Sequence, residues 1–105
     1  MIAVALALLL QREPMPSDAD AKNCAALAIA HHRALGHQDP ASVKAFDVSL
    51  YWSLVVGDRA RKDGVPHARF ERDLAEATES AAKQLAANDA TAAAGLAHCA
   101  ARVPH

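Results

Sequence analysis

The chain has 105 residues, a formal net charge of -1 and an aromatic content of 4%. That length bounds it to one small domain. The near-neutral balance and the lack of any basic run exclude the electrostatic footprint of a nucleic-acid binder. Alanine is the commonest residue. It is the best helix former, and its small side chain lets helices approach closely.

In chain order, Ile2 to Leu10 is an unbroken run of nine apolar residues. It is short of the roughly 20 needed to span a bilayer as a helix, and it fits the apolar region of a secretory signal. Gln11-Arg12-Glu13-Pro14 and Pro16 follow, and Ser17 and Ala19 are small residues two apart. These features predict cleavage after Ala19, with residues 1–19 a signal peptide and residues 20–105 a single all-α domain. The expected location is periplasmic or secreted, with no stable membrane span after cleavage. The segment ahead of the apolar run carries no Lys or Arg. The alternative is a short N-terminal turn of helix packed on the body.

The first predicted helix runs from Ser17 or Asp18 to Leu35. Ser17 suits the cap, and Asp18 and Asp20 suit the positive end of the helix dipole. Cys24, Leu27, Ala28, His31 and Leu35 share a face. Gly36 is a stop able to take the left-handed conformation. The second helix opens at Asp39-Pro40. Val43, Phe46, Leu50 and Leu54 line one side, and Val48, Tyr51, Trp52 and Val55 widen the apolar surface almost all the way round. Such breadth predicts the most buried helix. The same stretch also alternates like a strand from Phe46 to Val56, but no second strand-like run exists to satisfy its backbone. Gly64 ends it. The third helix runs from Val65-Pro66 to about Ala87, with Phe70, Leu74, Ala77, Ala81 and Leu85 as its stripe. The fourth runs from Asp89 to about Val103, with Ala92, Leu96, Cys99 and Val103 on one face.

Short connections favour antiparallel neighbours, so the predicted fold is a small four-helix up-down-up-down bundle. The start of the first helix then lies beside the end of the fourth. Cys24 and Cys99 fall at similar heights and on the apolar stripes of their own helices, which predicts a disulfide between them. A chain of roughly 85 residues after cleavage is of the size at which covalent help becomes common.

Six histidines are present. His31 and His32 are adjacent and point about 100° apart on a helix, and no spacing matches a zinc site. His31 shares the apolar face, where a buried imidazole needs partners. No nucleophile elbow surrounds Ser49 or Ser53, and no phosphate loop occurs. Tyr51 and Trp52 point to different sides, and an exposed Trp52 would anchor a partner.

Cys24-Ala-Ala-Leu27, Leu50-Tyr51-Trp52 with Gly57-Asp58-Arg59, and His98-Cys99 form a layout that resembles a loose group of small exported bacterial helical proteins of unknown function. These have one cysteine in the first mature helix and one in the last. The resemblance implies no activity. The expectation is a non-enzymatic structural or interaction module of the bacterial envelope, with no cofactor or metal. It has an unidentified protein partner and is a monomer or small homo-oligomer. Trp52, Tyr51 and His31 are the candidate partner or ligand residues. A pH-responsive periplasmic chaperone or stress protein is the first alternative, because histidines charge as pH falls through about 6.5. A haem- or metal-binding bundle using His31 and a histidine from another helix is the second.

Overall fold

A computed structural model describes residues 16–104; the predicted signal run at residues 2–10 lies outside them. Four helices follow in order: α1 (Asp18–Ala34), α2 (Ala41–Lys62), α3 (His67–Ala86) and α4 (Ala90–Ala101). No strand occurs among the described residues.

The helix starts are written in the sequence. The Ser17 hydroxyl accepts from the Asp20 amide, Asp39 Oδ1 accepts from the Ala41 amide, and Asp89 Oδ1 accepts from the Ala92 amide. Each satisfies an amide that the helix itself leaves open. The left-handed stops fall at Gly64 (φ 71°) and Asn88 (φ 57°). There the Val65 and Asp89 amides reach back to the Ala60 and Gln84 carbonyls. Gly36 does not take that role: α1 ends on an extended Leu35.

Successive helices run in opposite directions. His32 at the end of α1 meets Phe46 near the start of α2, with ring centroids 5.6 Å apart. At the other end, Arg59 late in α2 reaches Asp18 at the start of α1. The early residues Phe70 and Leu74 of α3 pack with Ala21 and Cys24, and its later residues Ala81 and Leu85 pack with Leu27 and Ala30. α3 therefore runs with α1, and the chain alternates up, down, up, down.

Helix α1, not α2, is the most buried. Ala21, Cys24, Ala25, Ala26, Leu27, Ala28 and Ala30 are all enclosed. α1 lies at the centre, packed against α2, α3 and α4, while α2 and α3 barely meet each other. Two core regions result. One joins Cys24, Ala25 and Ala28 to Val48, Trp52 and Val56 of α2 and to Cys99 of α4. The other joins Ala26, Leu27 and Ala30 to Ala81 of α3 and Ala92 of α4. Alanine on both sides of α1 makes this placement work, because two neighbours can approach one helix closely from different directions. At Gly95 the approach is tighter still: a Cβ there would lie 3.2 Å from Leu27 Cδ1.

The predicted stripe of α2 is the one that faces away. Val43, Phe46, Leu50 and Leu54 are exposed, and the buried side is Ala45, Val48, Ser49, Trp52 and Val56.

Candidate functional site

Cys24 and Cys99 form the disulfide, with Cα atoms 5.5 Å apart. It joins the second turn of the central helix to the last turn of α4. Trp52 packs in the same core cluster and donates from Nε1 to the Cys99 carbonyl at 3.0 Å. Burying an indole requires a partner for its N–H, and this carbonyl is that partner. Trp52 is 1% exposed. It locks the rotation of α2 about its own axis and offers no surface to a partner. Tyr51 is half-buried and stands edge-on to Trp52, with centroids 5.1 Å apart and planes at 81°.

With Trp52 turned inward, the opposite side of α2 must face solvent. Val43 is 71% exposed, Phe46 48%, Leu50 45% and Leu54 65%. Steps of three, four and four residues keep these side chains in one row along about 16 Å of helix. Together they expose on the order of 400 Å² of apolar surface, within the range of the largest apolar patch on an ordinary monomer, a patch that is often functional. Small residues Ser42, Ser53 and Gly57 lie along one edge of the row, and Lys44, Asp47 and Asp58 along the other.

The far end of α2 is fixed by charge. Arg59 donates to the Pro16 carbonyl at 2.6 Å and to Asp18 Oδ1 at 3.3 Å, tying the entry of α1 to the exit of α2. Asp58 accepts from Arg61 at 3.1 Å and pairs with Lys62 at 3.0 Å. Hydrogen bonding from Lys62, then from Arg61, holds its carboxyl below the usual 3.8.

His31 is half-buried on the floor of a groove of about 290 Å³, between the first half of α2 and α4. Ala28, Ala45, Val48 and Leu96 line it, and Lys44 stands at the rim. Tyr51 and Trp52 are not part of this groove, so the three candidate residues do not converge on one site. Among the described residues no group of three or more His, Cys, Asp and Glu side chains comes together. Ser49 donates its hydroxyl to the Phe46 carbonyl at 2.8 Å, and Thr78 donates to the Leu74 carbonyl at 2.7 Å. Both are inward helix residues whose hydroxyls satisfy their own backbone. No helix among the described residues is long and apolar enough to cross a membrane.

No protein-family model matches the chain, and neither a curated protein nor a solved structure matches it. The placement of one cysteine in the first helix and one in the last stands on the structure alone.

The sequence marked the right four residues of α2 as a stripe and assigned them to the wrong side. One signal bore on the choice. Trp52 lies near the middle of the arc opposite that stripe, and it falls within reach of the two cysteine-bearing helices.

Proposed function

We propose that this protein is a non-enzymatic interaction module of an oxidising, extracytoplasmic compartment. It docks the apolar face of an amphipathic partner helix against the outer stripe of α2. The observation that carries this reading is the row Val43, Phe46, Leu50 and Leu54, held outward on a helix whose rotation is fixed by Trp52. A helix laid along another uses anchors at such spacing. The Cys24–Cys99 disulfide supports the compartment, since such bonds persist where the environment is oxidising. Export to the periplasm or beyond, through the apolar run at residues 2–10, belongs to the same proposal.

The test is site-specific photocrosslinking in the envelope of a cell that exports the protein. A photoreactive residue at Leu50 is expected to form a defined protein adduct, and one at Glu79, on the exposed side of α3, is not. Adding Phe46→Glu should remove the adduct without altering helicity. Equal labelling from both positions, or none from Leu50, would refute the proposal.

A further inference from the structure

We propose that the groove between α2 and α4 binds a single-chain anionic amphiphile, a carboxylate carrying an alkyl chain of medium length. This groove is separate from the outer row of α2, and its occupancy does not depend on the docking reading.

The groove exists because α2 and α4 each pack on α1 and scarcely on each other. Ala28 of α1 lies on its floor, and Ala45 and Val48 of α2 face Leu96, Ala97 and Ala100 of α4 across it. Alanine side chains are too short to close the gap between the two helices. The space of about 290 Å³ matches the lower end of small-molecule sites, roughly 300 Å³. Its lining runs from residue 41 to residue 48 on α2 and from 93 to 100 on α4. Each stretch is about 10 Å of helix, the reach of an alkyl chain of about eight carbons. A helix from a partner, about 10–12 Å across with its side chains, is too thick to enter.

The groove is polar at one end only. α2 and α4 run in the same direction, so Val48 and Ala100 lie at the same end, beside the bond from Trp52 to the Cys99 carbonyl. His31 and Lys44 lie toward the other end, where α1 finishes and α2 begins. They are the only polar side chains among the lining residues, and neither makes a hydrogen bond or ion pair among the described residues. No carboxylate lines the groove. Asp39, near the polar end, accepts from the Ala41 amide.

The charge of Lys44 and the N–H of His31 select an anionic acceptor. The apolar walls select a chain with no polar groups of its own. Their arrangement sets the carboxylate at Lys44 and His31, with the tail running toward Trp52. An alkyl cation would meet repulsion from Lys44, and a short anion would leave the walls unfilled.

The test is an NMR titration of the full chain, disulfide closed, with decanoate up to about 5 mM at about pH 7.5. The expected result is saturable movement of the Ala45, Val48 and Leu96 amide signals, with a dissociation constant of roughly 50–500 μM. Decyltrimethylammonium, with the same tail and the opposite charge, and acetate, a head without a tail, should each bind at least about tenfold more weakly. Lys44→Glu should weaken decanoate about fivefold or more and strengthen the alkyl cation. Ala97→Phe, at an exposed position on α4, should fill the groove and abolish binding with helicity unchanged. The absence of a saturable shift, equal affinity for the alkyl cation, indifference to Lys44→Glu, or shifts centred on Phe46 and Leu54 of the outer row would each overturn the proposal.

Discussion

Opening the Cys24–Cys99 bond should remove a large share of the stability of this domain. The two cysteines are 75 residues apart. Closing a loop of that length withdraws about 4–5 kcal/mol of chain entropy from the unfolded state, on the loop-closure account. A domain of this size is stable by about 5–13 kcal/mol in all, so the reduced chain should be marginal. The assay is urea unfolding followed by Trp52, the single tryptophan, which is buried beside α4 and becomes hydrated on unfolding. With a denaturant slope of about 1 kcal/mol per molar, reduction should lower the midpoint by about 4 M. Cys24→Ala with Cys99→Ala should behave like the reduced protein, because alanine suits a core already lined by alanines. A midpoint that falls by less than about 0.5 M would show that the four helices hold together without the staple, and the loop argument would fail.

Starting the chain at Asp20 rather than Pro16 removes the Ser17 cap and both acceptors of Arg59. It also leaves a free α-amino group at the positive end of the α1 dipole, so thermal unfolding should show a loss of about 1–2 kcal/mol. An equal melting temperature for the two forms would deny the cap its role. The depressed Asp58 carboxyl is ionised in the folded state to a lower pH than in the unfolded chain. Its contribution is therefore complete above the usual 3.8 and is lost as pH falls through the depressed folded value. Carboxyl NMR titration should place its midpoint below 3.8, and Lys62→Met should move it back up. Gly95→Ala sets a helix-propensity gain of about 1 kcal/mol against overpacking of about 1–3 kcal/mol where the new methyl meets Leu27. Leu27 is itself fully enclosed and has little room to yield. The net effect should be a loss, and a higher melting temperature would mean that Leu27 moves freely.

The helices, their caps and the staple were legible because each rests on local chemistry. Ser17, Asp39 and Asp89 precede apolar runs, Gly64 and Asn88 follow them while Gly36 takes no left-handed role, and Cys24 and Cys99 lie on the apolar faces of helices that short loops force into opposite directions. The stripes of α3 and α4 were legible too: Phe70, Leu74, Ala81 and Leu85 of α3 and Ala92, Leu96 and Cys99 of α4 pack inward. What periodicity could not decide was the facing of α2. A helix that is apolar nearly all round has two valid stripes. The competition was won by Ala45, Val48, Trp52 and Val56, against larger side chains at 46, 50 and 54. Nor could periodicity show that α1 is central. Its enclosed residues are mostly alanines spread around the helix, so they form no single narrow stripe, yet that spread lets several neighbours pack on it.

The outward row on α2 has no explanation in the stability of the isolated domain. Turning α2 by half a turn to bury Phe46, Leu50 and Leu54 would expose Trp52, Val48 and Val56 and break the indole bond to Cys99. Given that facing, polar residues at 43 and 54, the most exposed of the row, would cost the fold little, since surface substitutions usually change stability by less than about 0.5 kcal/mol. They would also remove a liability, because a continuous apolar row invites association. Four neighbouring positions on one helix nevertheless remain apolar, at spacings that keep them aligned. The core is filled by alanines around Trp52 and Leu27, and the row at 43, 46, 50 and 54 lies outside it. Substituting Val43 and Leu54 together by Glu, at 71% and 65% exposure, is the direct measure of that separation. Thermal unfolding should shift by no more than a few degrees, while association through α2 is lost.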